Sequence, residues 1–306
     1  MPTQDITPLA SDVARASPGR PRRPPLGVSL VVLGGLLILV ALLGEFTDIG
    51  NYPSVPGGGY DRLDTDLVAH SRSLDELYSQ VMQRAGQPLA ELPPSQATFI
   101  LFEAVCQRFT HNDRTHHTLF SNWLLWLGGK ILRPVFSSLG EVGQPDLLLR
   151  HGHSALCGQQ SYLLVALARE AGIPARQVGL RNHAVMEAWY DDEWHMYDPD
   201  FEAIGGPSPD EVFGVEQLSR KPELLRAIYD DKIDPARLPK TFDRRIISAT
   251  SDPPWSPSHW KSRLLLSVEA AAEVLEFVIP ALMIFVGLMC LRRKARASRA
   301  STSGRV

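Results

Sequence analysis

From Leu26 to Gly44 the chain reads LGVSLVVLGGLLILVALLG, nineteen residues without a charge. As a helix rising about 1.5 Å per residue, that run covers roughly the 30 Å hydrocarbon layer of a bilayer. A second apolar run, FVIPALMIFVGLMCL from Phe277 to Leu291, has fifteen residues and reaches full span if the helical stretch from Val268 continues into it. Glu269, Glu273 and Glu276 share one face at its upper end. That acidic face is expected above the membrane or against protein, the alternative being a functional carboxylate within the membrane. A cleaved signal peptide shares the arginine-then-leucine pattern of the first run, but no small-x-small site closes it and about 25 residues precede it. An uncleaved anchor is therefore expected.

The flanks give an orientation, because cytoplasmic segments beside spans are enriched in Lys and Arg. The 1–25 and 292–306 segments hold ten of the 31 basic residues and two of the 34 acidic ones, leaving 21 against 32 for positions 26–291, a net charge of −11. Both tails are expected in the cytoplasm and the acidic body outside it, anchored in the plasma (inner) membrane; so acidic a body excludes a nucleic-acid binder. The expected layout is a disordered tail at 1–25, a transmembrane helix at 26–44, an extracytoplasmic domain at 45–267, a second span at 268–291 and a basic tail at 292–306. The Pro-, Arg- and Ser-rich first segment cannot bury a core.

Within the body, NYPSVPGGGY is a turn-rich linker. Leu63, Leu67, Leu74, Leu77, Tyr78, Val81 and Met82 predict one amphipathic helix over 61–85. Pro93-Pro94-Ser95 predicts the start of a helix carrying Cys106, and TLFSNWLLWLGGKIL reads as a core helix, with a place on the bilayer surface as the alternative. The clearest helix covers 154–171, with Leu163, Leu164, Ala166, Leu167 and Ala168 inward and Gly172 and Pro174 as stops. The period then changes: ARQVGL, HAVMEAWY and EWHMYD read as antiparallel strands, the last two joined at Asp191-Asp192. Ser208-Pro209-Asp210-Glu211 has the pattern of a helix start. Helices followed by a small sheet make an α+β fold. Trp255 and Trp260 precede the second span where an aromatic belt would sit.

Three cysteines make no disulfide framework. Cys290 lies in the second span and Cys106 in an apolar run where Cys serves as a small hydrophobe, a Cys106–Cys157 bridge being the alternative. Cys157 stands at a helix start, whose dipole and free N–H groups favour a thiolate and could hold an oxyanion. A cysteine nucleophile needs a base and the base an orienting acceptor. If the hairpin turns at Asp191-Asp192, paired positions sum to about 381 to 383, which places His183 opposite Asp198 or one rung diagonal to it.

The segments LCGQQSYLLVALAREAGIPAR and RNHAVMEAWYDDEWHMYDPD resemble the core of the transglutaminase-like superfamily, a papain-like cysteine fold with Cys, His and Asp in that chain order. The matching features are Cys157 at the helix start, the Gly172-Ile173-Pro174-Ala175-Arg176 exit, His183 with Glu187 four residues on, and Trp194-His195 before Asp198-Pro199; the match covers 154–202. The resemblance implies a bacterial, membrane-anchored member in which Cys157 is nucleophile, His183 general base and acid, and Asp198 the orienter. The implied function is a cysteine-dependent hydrolase or acyltransferase that attacks an amide or ester carbonyl, in a peptide or other substrate of the cell envelope, through a thioester. The alternative is a non-catalytic binding or scaffold module of an envelope or exopolysaccharide assembly. No cofactor and no metal are expected, although His116-His117 and His151-Gly152-His153 could imitate a zinc cluster. Asn122, Trp123 and Gln159 are candidate oxyanion donors. His195 is expected to pack rather than to act as base, and Arg176 and Arg181 to pair with acids such as Glu187 or to meet a substrate carboxylate or phosphate.

Overall fold

The computed structural model describes residues 26–52, 62–111, 113–132, 139–230, 232–233, 238–242, 248–249 and 260–303. The 1–25 tail, most of the NYPSVPGGGY linker and Trp255 lie outside the described residues.

Eleven helices and five strands follow one another among the described residues. Helix α1 (Leu26–Phe46) is followed by α2 (Thr65–His70), α3 (Leu74–Ala85), α4 (Pro94–Arg108), α5 (Trp123–Leu132), α6 (Pro145–His151) and α7 (Cys157–Glu170). Strands β1 (Ala175–Leu180), β2 (His183–Tyr190), β3 (Glu193–Asp198) and β4 (Ala203–Ile204) come next. After α8 (Val215–Leu218), α9 (Pro222–Tyr229), α10 (Leu238–Thr241) and β5 (Ser248–Ala249), α11 (Trp260–Ser303) ends the series. The fold is α+β, as the switch from helical to two-residue periodicity predicts: one antiparallel sheet in the order β4-β3-β2-β1-β5, with helices on it.

Both faces of the sheet are covered. Met186, Ala188, Tyr190 and Tyr197 face a core shared with α3, α4 and α7. Val178, Leu180, Val185 and Met196 face a second core with α8 and α9. Alternate residues therefore go to opposite cores, and β2 reads as nearly continuous burial rather than strict alternation. The hairpin turns at Asp191 and Asp192, whose φ angles of 51° and 60° are those of a type I′ turn matched to the strand twist. Its register, from Tyr190 opposite Glu193 to Met186 opposite Tyr197, is a constant sum of 383, the upper end of the predicted range.

Three sequence expectations are corrected. The 61–85 helix is two helices: Ser71-Arg72-Ser73 interrupts it, and Asp64 and Ser73 each cap a new first turn. The break admits the buried Arg108, whose guanidinium donates to Ser71 Oγ, Leu149 O and Gly152 O. Ser208-Pro209-Asp210-Glu211 is a closed turn, Glu211 N–H donating to Ser208 O, and the helix waits until Val215. The turn folds so tightly onto Gly206 that a Cβ there would lie 1.5 Å from Glu211 O. Finally, α5 buries Trp123 and Leu125 but leaves Leu127, Ile131 and Leu132 exposed, so it is not a core helix.

α1 and α11 are long and apolar enough to cross a membrane, over Leu26–Phe46 and Leu264–Arg296. They pack on each other through small residues: a Cβ on Gly27 would meet Gly287 O at 2.8 Å, and one on Gly34 would meet Pro280 O at 2.7 Å. Close backbone approach of this kind is how apolar helices associate where no hydrophobic driving force separates them from lipid. The acidic face of α11 lies against protein. Glu269 accepts from Gly143 N–H and Gln144 N–H and bonds His117 Nε2 at 3.0 Å, while Asn122 donates to Glu273.

Candidate active site

Cys157 is the first residue of α7. Leu156 precedes it as an N-cap whose side chain makes no hydrogen bond to the first turn, and Gln159 N–H turns back to Leu156 O. The segment before it is held from two sides. Thr110 N–H donates to His153 O and Ala155 N–H to Thr110 O, and Arg108 binds the carbonyls of Leu149 and Gly152. Burial pushes the Arg108 guanidinium down to about 10. Behind Cys157, Leu163, Leu164, Leu167 and Ala168 anchor α7 in the core, and Gly172, with φ of 76°, ends the helix so that Ile173 N–H returns to Ala168 O.

His183 opens β2 beside the helix start. Its Nε2 lies 2.6 Å from Asp198 Oδ2, both side chains are buried, and one ring nitrogen lies within 4.8 Å of the Cys157 sulfur. Burial disfavours a charged imidazole, but the Asp198 carboxylate and its hydrogen bond, with a further contribution from Cys157, outweigh that and hold His183 well above its ordinary range. Asp198 is in turn fixed by two donors: Tyr229 O–H at 2.8 Å and Phe201 N–H at 3.3 Å. The Phe201 ring packs on His183 with centroids 5.0 Å apart. The sequence reading placed these three residues together, and the structure brings them together.

A second carboxylate, Asp200, escaped that reading. Its Oδ2 lies 3.9 Å from His183 Nδ1, and the carboxyl faces the backbone N–H of Cys157. One polar atom each of Cys157, His183 and Asp200 lies within 4.8 Å of the others. Burial, and then the charge of Asp198, push Asp200 up to about 7 against the opposing pull of His183, the Cys157 N–H and Arg114. The signal was in the hairpin: a sum of 383 puts residue 200 opposite His183 and Asp198 on the diagonal. Tyr229, thirty-one residues beyond Asp198, carried no local signal.

The other candidates go elsewhere. Trp123 Nε1–H donates to Glu276 O and Asn122 to Glu273, both on α11. Both amide hydrogens of Gln159 are committed, to Thr115 O and Val142 O, beneath the helix. His195 stacks on Tyr190 at 3.6 Å and bonds Val212 O, a packing role as expected. Arg176 pairs with the buried Glu187 at 2.7 Å and lies over Trp194. All three cysteines are free, so no Cys106–Cys157 bridge forms; Cys106 Sγ faces Pro199 O at 3.7 Å from below. Among the described residues the four histidines at 116, 117, 151 and 153 form no cluster able to hold a metal; Cys157, His183 and Asp200 form the one such group.

Cys157, His183 and Asp200 open onto a cavity of about 480 Å³ rimmed by Arg181, Lys240 and Arg114. A helix that opens on a cysteine, packed on an antiparallel hairpin presenting a histidine and its carboxylate, defines a cysteine-centred core of papain-like arrangement. Residues 136–199 match the family model of the transglutaminase-like superfamily, a span that contains Cys157, His183 and Asp198. This segment is transglutaminase-like. No curated protein and no solved structure matches the chain.

Proposed function

We propose that the protein is a membrane-anchored thiol enzyme in which Cys157, His183 and Asp198 act as nucleophile, base and orienter on an amide or ester carbonyl. The observation that carries this is the placement of one imidazole between a buried carboxylate on Nε2 and the cysteine side chain. His183 takes the thiol proton and Asp198 stabilises the resulting imidazolium. The sulfur adds to the carbonyl carbon, and the tetrahedral intermediate collapses to a thioester as His183 returns the proton to the departing amine or alcohol. Water, deprotonated by the same imidazole, then releases the acid and restores the thiol; an amine in its place gives acyl transfer. The half-buried sulfur and wide cavity favour hydrolysis. Backbone N–H groups of the first turn of α7 are suited to the oxyanion, since the side chains of Asn122, Trp123 and Gln159 are otherwise engaged.

The scaffold reading requires no approach of sulfur to imidazole, and a Cys157 Sγ within 4.8 Å of a His183 ring nitrogen favours catalysis instead. The reading places residues 45–267 outside the cytoplasm, with spans at 26–44 and 268–291 and both tails inside, acting on a peptide or other amide or ester of the envelope. Cys157→Ala in the purified full chain should abolish labelling by a thiol-reactive substrate analogue with the thermal midpoint unchanged. His183→Gln should slow labelling by about 10²–10⁴-fold. Undiminished labelling of Cys157→Ala overturns the proposal.

A further inference from the structure

Cys157 stands between two cavities of different character. On one side is the basic-rimmed cavity already described. On the other, the residues flanking Cys157, Leu156 and Gly158, line a second cavity of about 270 Å³ with Val142, Leu125, Leu265 and Leu266. Leu156 and Arg114 border both cavities, so an occupant of the second reaches the mouth of the first. Leu265 and Leu266 come from α11, just before the proposed span at 268–291 and within the stretch Leu264–Arg296 that is long and apolar enough to cross a membrane. α5, which supplies Leu125, continues into the exposed Leu127, Ile131 and Leu132. The lining is mostly apolar, with Arg114, Glu141 and Glu269 also at the cavity, which lies beside the start of the proposed span; its volume falls just below the roughly 300–1,000 Å³ typical of small-molecule sites.

We infer that this cavity receives the hydrocarbon chain of a membrane-resident amphiphile whose amide or ester carbonyl is attacked by Cys157. This rests on the catalytic reading and deepens it by naming the substrate class. Continuity with the site and a wall made by the spanning helix favour a lipid chain over the apolar side chain of a soluble peptide, because a chain entering here need never leave the bilayer. Burial of each methylene is worth about 0.8 kcal/mol, a rate factor of roughly four per carbon where that contact is kept in the transition state. The acylation step forms the S–C(acyl) bond, breaks the C–O bond of the ester and hands the thiol proton to the leaving alcohol.

The test uses the full chain in phospholipid nanodiscs and p-nitrophenyl esters of acetate, hexanoate and decanoate. Acylation of Cys157 is followed by nitrophenolate release and by intact mass. Wild type should favour decanoate over acetate by at least tenfold. Leu266→Trp, which fills the cavity away from the sulfur, should remove that preference and leave the acetate rate within about twofold; comparing both proteins in the same nanodiscs cancels partition of the esters into lipid. Leu265→Trp gives an independent filling should Leu266→Trp fold poorly. A chain-length profile that is flat in wild type, or unchanged by both tryptophans, overturns the inference while acetate turnover leaves the catalytic reading standing. Absence of Cys157 acylation by any ester overturns the catalytic reading itself.

Discussion

Asp200 shows how much a single side chain can change the chemistry of a site. The Cys157 N–H that would hold a developing oxyanion also faces this carboxyl. Asp198, His183, Cys157 and Arg114 are the groups that face it, and with its proton held up to about 7 it is neutral in mildly acidic solution and negative above. A negative charge there opposes both the thiolate and the oxyanion. Acylation of Cys157 by a neutral ester should therefore decline as pH rises through about 7, and Asp200→Asn should remove that decline while leaving Cys157 labelled. A stopped-flow pH profile of both proteins reads this, and an identical fall in each would count against the role. Stability moves in the same direction. An unfolded Asp releases its proton near about 3.9, so between about 4 and 7 the folded chain binds the additional proton. Asp200 therefore withdraws stability as pH rises across that window, and Asp200→Asn should flatten the thermal midpoint there.

At the scale of elements, the β2–β3 hairpin sets the register that brings His183 to Asp198 and Asp200. Its two-residue turn asks Asp191 and Asp192 for left-handed φ angles, which Asn and Gly adopt at lower cost. Replacing Asp191-Asp192 with Asn-Gly should raise stability by about 1 kcal/mol without altering Cys157 reactivity, as read by denaturant unfolding and by labelling. A loss of labelling would mean that the turn residues act beyond setting the register. The helix side of the site depends instead on Arg108. This buried cation has no carboxylate partner in its hydrogen-bond set, and it ties α4, the α2–α3 break and the segment before Cys157 into one unit. Each carbonyl it satisfies would otherwise cost about 1–3 kcal/mol.

For the whole molecule, the paired α1 and α11 are joined to the core that carries Cys157 through the acidic face of α11. Glu269 joins α11 to the loop at Gly143 and Gln144, and both Glu269 and Gly143 line the cavity beside Cys157. The charge pattern is what supports the proposed cytoplasmic position of both tails. In intact cells or spheroplasts a membrane-impermeant maleimide should modify Cys157, and should modify a cysteine introduced at Ala300 only after the membrane is opened. Modification at both positions in intact cells would remove the proposed orientation.

The amino-acid sequence by itself determined the two long apolar helices, the class of fold, the helix that carries Cys157 near its start, the three strands and the approach of His183 to Asp198. These follow from local rules: charge-free length, two-residue against 3.6-residue period, and a hairpin whose turn is marked by its own residues. Tertiary structure decided the rest. Breaking 61–85 into two helices depends on an arginine that arrives from α4, and the closing of 208–211 into a turn depends on Gly206 folding against it. Tyr229 reaches Asp198 from a helix of the second core. The apolar cavity exists only because α11 returns to the site more than a hundred residues after Cys157, and no local pattern carries a contact at that separation.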